Sequence, residues 1–209
     1  MLANKKFSSF FLMFPTIGIL IFIGLYFYAA NQYPGGSQAN INSTEFDWVN
    51  NYWCNLLNEE SINGKQNPAR PIAILAMLIL SGSLLIFFFQ FSKHFEDSKI
   101  WKLIIQVCGT ISMVTAIFIF TEYHDQITIL ASVFGFFVFI GIIRAIYQSD
   151  LQLFKMSGLL CILMLGINNY IYYSGSFIKY LPLIQKITFV FVLAWVMGLN
   201  IKMIKANKS

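Results

Sequence analysis

Charged residues are scarce in this sequence. Only 11% of the 209 residues are Asp, Glu, Lys or Arg, whereas 57% are hydrophobic and 17% are aromatic. A typical soluble domain carries about 25% charged residues, so this chain lacks the polar surface that water solubility requires. The 14 Lys and Arg residues lie scattered at the ends of apolar runs rather than in one basic patch. We therefore predict a single-domain integral membrane protein with no nucleic-acid partner.

Cysteine is also rare, with Cys54, Cys108 and Cys161 the three in the chain. An odd number without a C-x-x-C spacing excludes a complete disulfide framework and a typical structural zinc site. Cys108 and Cys161 lie inside apolar runs, where a thiol packs as a small hydrophobic group. Cys54 lies in a polar loop, so it is the one candidate for a reactive thiol.

Ionisable residues are missing from the middle of the apolar runs. The polar residues found there are Gln90, Gln106, Thr110, Ser112 and Thr115. Proton and ion pathways usually need ionisable groups near the centre of the bilayer. No internal repeat is evident either, which disfavours a transporter built from two inverted halves.

Six apolar stretches are long enough to cross a membrane, which takes about 20 residues. They lie at about 10–30, 71–91, 100–120, 127–147, 154–174 and 183–203. Short connections make consecutive spans antiparallel neighbours. We predict an all-α polytopic membrane protein, a six-transmembrane-helix bundle with one long, organised outer loop over residues 31–70.

Basic residues predict the orientation of the chain, because Lys and Arg are enriched in cytoplasmic loops. Placing the N-terminus inside puts ten of them on the cytoplasmic side: Lys5, Lys6, Lys93, Lys99, Lys102, Arg144, Lys155, Lys202, Lys205 and Lys208. Four lie outside: Lys65, Arg70, Lys179 and Lys186. We therefore predict a multi-pass protein of the plasma (inner) membrane with both termini in the cytoplasm.

The outer loop is too long to be only a connection, and loops of this length are commonly functional. It begins with the turn sequence Tyr33-Pro34-Gly35-Gly36. Within residues 45–57, the apolar residues Phe46, Val49, Trp53, Leu56 and Leu57 recur at helical spacing. This pattern predicts a short amphipathic helix on the outer surface or capping the bundle.

Titratable side chains are concentrated between the third and fourth spans. Glu122, His124 and Asp125 lie together on the predicted outer side. They are candidate catalytic residues, because a carboxylate can orient an imidazole that acts as a general base, and His124 is a weak candidate metal ligand. One histidine and two carboxylates do not complete a catalytic or zinc site, and a solvated turn explains the same residues.

Other polar residues are expected at the same height in the membrane, because the outer ends of antiparallel helices meet on one face. They would form a ligand-binding pocket beneath the loop, with the candidates Trp53, Asn55, Asn58, Glu59, Arg70, Asn168, Asn169 and Lys186. The alternative for Tyr170, Tyr172, Tyr173 and Trp195 is an interfacial aromatic belt. Asn168 and Asn169 must find partners in the bundle.

Two features are expected on the cytoplasmic side. Arg144 comes late in the fourth span, where a basic side chain usually extends to the interface. His94, Glu96 and Asp97 lie among lysines between the second and third spans. We interpret them as a solvated charge cluster.

Several motifs together carry a family resemblance: Tyr33-Pro34-Gly35-Gly36, the stretch from residue 51 to Asn67-Pro68-Ala69-Arg70, and His124-Asp125 before an apolar span. With these features the chain resembles bacterial six-span proteins of the DUF998 type and, more distantly, the Frag1/DRAM/Sfk1 membrane proteins. It has Cys54-Asn55-Leu56-Leu57 where a Ser-Asp-x-Gly motif is expected. The bacterial group has no assigned activity, and the resemblance to the eukaryotic proteins implies a link to lipid remodelling and membrane trafficking.

Three functions remain open from the sequence. The first is a structural, sensory or lipid- or partner-binding membrane protein that acts through its outer face, and this is our prediction. The second is a lipid-modifying enzyme with its site near His124, and the third is a small transporter. We expect no cofactor and no bound metal, and membrane lipid as a partner; a membrane-protein partner and a homo-oligomer are the further alternatives.

Overall fold

The computed structural model describes residues 9–208 and contains six long α-helices. They are α1 (Ser9–Gln32), α2 (Arg70–Phe95), α3 (Lys99–Ala116), α4 (His124–Tyr147), α5 (Gln152–Ser174) and α6 (Leu181–Lys208). All six are long and apolar enough to cross a membrane. The predicted all-α bundle of six transmembrane helices is therefore confirmed.

The helices form an incomplete ring. α1 packs against α2 and α6, α2 packs against α3, α3 packs against α4, and α5 packs against α6. α4 and α5 meet only sparsely, although a short turn joins them. Because successive helices alternate in direction, residues 33–69, 117–123 and 175–180 share one end of the bundle, here called the loop end. The other end, with residues 96–98 and 148–151, is called the termini end.

Neutral polar side chains link three helices inside the apolar bundle. The Thr16 hydroxyl donates to Asn200 Oδ1 at 2.7 Å, joining α1 to α6. Asn200 Nδ2 approaches Gln90 Oε1 at 3.5 Å, and Gln90 Nε2 donates to the Phe11 carbonyl at 2.8 Å. Asn200 and Gln90 are fully buried, so these groups satisfy one another where no water is present. The network holds α1, α2 and α6 together.

Several helix pairs approach closely at glycine, among them α1 with α2 and α2 with α3. A Cβ atom at Gly18 would collide with the Ser83 side chain on α2. At Gly109 it would lie 2.6 Å from the Phe88 ring. Small residues at helix interfaces let backbones approach in membranes, where packing replaces the hydrophobic effect between helices.

The structure corrects two secondary-structure predictions. α3 ends at Ala116, before the predicted end near residue 120, because residues 117–123 form successive tight turns. The amphipathic helix predicted for residues 45–57 is wrong: helix is confined to a five-residue 3-10 helix over Trp53–Leu57. Asp47 explains the difference, because its carboxylate accepts hydrogen bonds from the backbone amides of Val49 and Asn50 at 2.9 and 3.0 Å. Such local bonds stabilise a turn at the expense of a helix.

Trp195 also differs from its predicted place in an interfacial belt. Its side chain is buried, and its indole N–H donates to the Phe154 carbonyl at 3.1 Å. Its ring lies 5.2 Å from the Phe139 ring. Trp195 therefore packs where α4, α5 and α6 meet, whereas Tyr170, Tyr172 and Tyr173 are exposed at the loop end.

Candidate functional site

The long loop folds into a compact cap over the loop end of the bundle. The cap comprises residues 33–69. Gly35 and Gly36 have φ of 111° and 83°, a left-handed region that favours glycine. A Cβ at Gly36 would collide with the backbone at Asn63. Gly36 N–H donates to the Ser43 carbonyl at 2.9 Å, and Asn63 Nδ2 donates to the Pro34 carbonyl at 2.8 Å. These contacts bring both halves of the loop together.

Asn51 is the centre of the first half of the cap, and it is fully buried. Its Nδ2 donates to the Gly36 carbonyl at 2.9 Å, and its Oδ1 accepts from the Asp47 amide at 2.8 Å. Asn55 Oδ1 accepts from the Tyr52 amide at 2.7 Å, at the start of the 3-10 helix. Both amide side chains therefore serve the backbone of the cap, where an unpaired polar group would be costly.

Asn67 joins the cap to α2. Its Nδ2 lies within hydrogen-bonding distance of three backbone carbonyls, those of Asn55 at 3.2 Å, Leu56 at 3.3 Å and Asn58 at 2.9 Å. Its Oδ1 accepts from the Ala69 amide at 3.1 Å, just before α2 begins. Asn67 therefore satisfies carbonyls at the end of the 3-10 helix and an amide at the start of α2 at once.

Lys186 fastens the cap to α6. Its side chain is buried, and its ammonium donates to the Asn51 carbonyl and, at 3.0 Å, to the Pro182 carbonyl. The ammonium also lies 5.7 Å from the centre of the Phe46 ring, a favourable cation–π distance. A lysine predicted to line a ligand pocket thus binds the backbone of the cap.

Lys186→Met should loosen the cap while leaving the bundle intact. Methionine keeps most of the volume but leaves the Asn51 carbonyl without its donor, at a cost of about 1–3 kcal/mol. Removing a buried ammonium offsets part of that cost. We expect hydrogen exchange in residues 46–56 to quicken by about tenfold, the factor for 1.4 kcal/mol. Equal exchange in Lys186→Met and in a matched Lys179→Met variant, which changes an exposed lysine, would contradict this role.

Trp53 anchors the cap in an aromatic cluster. Its ring stacks on Tyr26 at 4.7 Å between centroids and lies 5.5 Å from Phe189 and 6.1 Å from Phe22. Its indole N–H is buried and has no hydrogen-bond partner within residues 9–208. The residue thus seats the cap on α1 and α6 through packing.

The carboxylate of Asp47 is stabilised in its charged form. Partial burial alone would raise the pKa of Asp47, but hydrogen bonds from the Asn50 side chain and the Asn50 and Val49 amides hold that pKa below its ordinary value. Asp47 is therefore ionised at neutral pH. It supplies negative charge on the Lys186 side of the cap.

Cys54 lies in the 3-10 helix, and the structure does not support it as a reactive thiol. Burial raises the pKa of the Cys54 thiol to about 11, and the negative charge of Asp125 adds to the effect, against opposing contributions from its own backbone amide and from Lys186. The thiolate is the nucleophilic form. Little thiolate therefore exists at neutral pH, which disfavours the sequence-based hypothesis of a reactive Cys54.

Maleimide labelling tests this assignment for Cys54 in a Cys108→Ser, Cys161→Ser background. At pH 8, a thiol with a pKa of about 11 has a thiolate fraction about 100-fold below that of one at the ordinary 9.0. We expect slow labelling that still rises about tenfold per pH unit between pH 9 and 10. The matched control is Ala39→Cys, at an exposed cap position, with Cys54→Ala added. If Cys54 labelled as fast as this control and levelled off near pH 9, the assignment would be wrong.

His124 and Asp125 form a pair at the start of α4. His124 Nδ1 lies 3.1 Å from Asp125 Oδ1, with side chains 36% and 73% exposed. Glu122 is exposed in the preceding turn. No group of three or more His, Cys, Asp and Glu that could hold a metal occurs in the described part of the chain. Within that part, His124 also makes no hydrogen bond to the cap or to Asn168, so the pair lacks a third partner.

The structure distributes the remaining predicted pocket residues over separate places. Arg70 Nη1 pairs with Glu59 Oε1 at 2.7 Å on the surface, where Asn58 is also exposed. Asn168 Nδ2 donates to Thr188 on α6 and to the Met164 carbonyl at 3.0 Å. Asn169 Nδ2 donates to the Leu165 carbonyl at 2.9 Å and is exposed. Arg70 and Glu59 thus meet directly, and Asn55 and Lys186 meet indirectly, through Asn51.

A buried ion pair at the termini end was not predicted. Both oxygens of Glu96 lie 2.7 Å from Arg144 Nη1, and Ser98 N–H donates to Glu96 Oε1 at 2.8 Å. The Glu96 side chain is 0% exposed, so it does not belong to a solvated cluster. Arg144 also lies 5.4 Å from the Trp101 ring. Arg144 therefore does not simply extend to the interface but holds residues 96–98 against α4.

Comparison with protein-family models, with curated proteins and with solved structures found no match. The resemblance to the DUF998-type proteins thus stays a prediction. The buried asparagines and the Glu96–Arg144 pair were missed because their partners are 9 to 48 residues away in sequence. Amide-rich segments flanking the Pro-Gly-Gly turn are the one local signal that could have indicated the cap.

Proposed function

We propose that this protein binds membrane lipid at its loop end without changing the lipid chemically. One observation carries the proposal: the buried polar side chains of the loop end, including Asn51, Asn67 and Lys186, hold the cap in place. The donor groups of these three side chains are used on backbone carbonyls of the cap. A rigid cap over apolar helices suits recognition at the interface better than it suits turnover.

The orientation proposed from the sequence accompanies this function. Among residues with described side chains, seven Lys and Arg lie toward the termini end, Lys93, Lys99, Lys102, Arg144, Lys155, Lys202 and Lys205. Four lie at the loop end. The excess supports cytoplasmic termini and a cap outside the plasma membrane.

A membrane-impermeant maleimide should label Ala39→Cys in intact cells, and labelling only after lysis would reverse the orientation.

A lipid-modifying enzyme is the second candidate, because His124 and Asp125 are within hydrogen-bonding distance. An imidazole oriented by a carboxylate can act as a general base. Catalysis by this pair would also need a nucleophile or an activated water molecule next to the bound lipid.

One preparation tests both candidates. The protein purified in mild detergent is examined by native mass spectrometry, and a parallel sample is incubated with defined phospholipids whose products are separated and measured. We expect retained phospholipid on the protein, unchanged substrate, and the same result for His124→Ala. Product formation that His124→Ala abolishes would establish the enzyme, and a protein free of lipid would contradict binding.

A further inference from the structure

The Glu96–Arg144 pair at the termini end uses only one nitrogen of the guanidinium. Both carboxylate oxygens of Glu96 lie 2.7 Å from Arg144 Nη1. In the side-by-side arrangement that is common for such pairs, each oxygen meets a different guanidinium nitrogen. Nη2 and Nε of Arg144 make no hydrogen bond within residues 9–208. The edge of the guanidinium formed by these two nitrogens is here called the open edge.

Two contacts fix the guanidinium in place. On one side is Glu96, whose side chain is 0% exposed and accepts a hydrogen bond from the Ser98 amide at 2.8 Å. On the other is the Trp101 ring, whose centre lies 5.4 Å from Arg144 Cζ, and arginine planes stack favourably on aromatic faces. The open edge is therefore oriented before any ligand binds, which lowers the entropic cost of binding.

The guanidinium is accessible at the level of lipid headgroups. The Arg144 side chain is 32% exposed, although its partner Glu96 is fully enclosed. Arg144 lies three residues before the end of α4 at Tyr147, which is about 5 Å at 1.5 Å per residue. This depth corresponds to the interfacial region of a bilayer rather than to its hydrocarbon centre. A lipid phosphate at that level can reach Arg144.

Charges around the pair favour an anion. Lys102 directly follows Trp101, and the Lys155 ammonium lies 5.9 Å from the Tyr147 ring on the last turn of α4. Neither lysine forms an ion pair within residues 9–208. The seven basic residues of the termini end outnumber its described acids, which are Glu96, Asp97 and Asp150. The positive potential therefore favours an acidic phospholipid over one whose headgroup carries an ammonium.

We propose that Arg144 binds the phosphate of an acidic phospholipid, the open edge donating to two oxygens of one phosphate group. The planar fork of arginine matches phosphate in this bidentate way. Lys102 and Lys155 supply the surrounding positive charge. The proposal is independent of lipid binding at the loop end, because it concerns the opposite end of the bundle.

Nuclear magnetic resonance of the intact protein tests the contact directly, because the chain contains only two arginines, Arg70 and Arg144. In phosphatidylcholine nanodiscs, protein labelled with ¹⁵N-arginine gives two Nε–H signals, which Arg70→Lys assigns. We expect the Arg144 signal to shift and to saturate as phosphatidylglycerol is added, but not with phosphatidylethanolamine or inorganic phosphate. The Arg70 Nε–H already donates to the Leu57 carbonyl at 3.2 Å, so its signal should stay in place.

The variant Arg144→Lys separates the shape of the donor from its charge. Lysine keeps a cation beside Glu96 but removes the open edge. We expect phosphatidylglycerol retained in native mass spectrometry to fall about tenfold, with the melting temperature showing that the variant is folded. The control Lys205→Gln removes a whole exposed charge at the same end and should lower retention by less than twofold. Attraction by net charge alone predicts the reverse order.

Four results would overturn the inference: an Arg144 signal that phosphatidylglycerol does not move, an equal shift with phosphatidylethanolamine, unchanged retention in Arg144→Lys, or an equal loss in Lys205→Gln. A signal that inorganic phosphate moves and phosphatidylglycerol does not would identify a soluble ligand and also overturn it. The signal of the wild type decides the matter even if Arg144→Lys fails to fold. Phospholipid that Arg144→Lys still retains lies elsewhere, so lipid binding at the loop end survives this failure.

Discussion

Arg144→Met is expected to lower the free energy of unfolding by about 3–5 kcal/mol, because it leaves the Glu96 carboxylate buried without its counter-ion. Glu96 is 0% exposed, and after the substitution its remaining donor within residues 9–208 is the Ser98 amide. For a chain of this size, the loss corresponds to a fall in melting temperature of roughly 10 °C. Thermal unfolding in detergent measures it.

A double-mutant cycle identifies the cause of that loss. Glu96→Gln combined with Arg144→Met removes both charges, so the double variant should recover most of the lost stability. Lys99→Met, which removes an exposed cation at the same end of the bundle, is the matched control and should stay within about 0.5 kcal/mol of the wild type. Additive losses in the cycle would show that Glu96 and Arg144 do not interact.

Asn67→Asp should strongly destabilise the cap, although the substitution changes almost no side-chain volume. The Asn67 amide donates toward the carbonyls of Asn55, Leu56 and Asn58. A carboxylate would instead place negative charge against these three oxygens, and leaving buried charged groups unsatisfied costs about 3 kcal/mol or more. Limited proteolysis of the cap and thermal unfolding measure the effect.

The pH dependence of Asn67→Asp gives a sharper test. Burial among carbonyls raises the folded-state pKa of the introduced carboxyl above its unfolded value, so the folded variant binds the proton more tightly. Its stability should therefore recover as the pH falls toward 4 and be lost as the pH rises. Asn42→Asp, at an exposed position of the cap, should show neither the loss nor the recovery. Indistinguishable unfolding curves for the two variants would contradict the role of Asn67.

The bundle was predictable because lipid imposes a simple rule on sequence. A helix that crosses the hydrocarbon region needs a long apolar run, and residues 71–91 and 127–147 show such runs plainly. The helix ends were less predictable. α3 stops at Ala116 although Ile117–Phe120 are apolar, because consecutive turns rather than polarity end the helix.

The polar interior of the cap was not predictable from local pattern. Asn51 and Asn67 resemble the other asparagines of a polar loop, and their burial depends on partners brought near by the fold, such as Gly36 for Asn51. Lys186 was placed at the correct height but was expected to face a ligand. Its partner is a backbone carbonyl, and no side-chain pattern reveals such a partner.

Solvent exposure was misjudged where charges and aromatic residues meet other helices. Glu96 stands beside lysines in sequence, which is typical of a solvated turn, yet it is enclosed against Arg144. Trp195 lies near neither end of α6, and its partner Phe154 is 41 residues away. In both cases a tertiary contact outweighed the usual preference of the residue type, which is solvent for glutamate and the membrane interface for tryptophan.

A high-resolution density map of the protein in phospholipid nanodiscs is the most direct test of the cap and of lipid binding at the loop end. We expect the cap to be seated on α1 and α6 through Trp53 and Lys186, with ordered lipid density against the helices at the loop end. A map in which the cap is detached from α1 and α6, with no ordered lipid at the loop end, would contradict both.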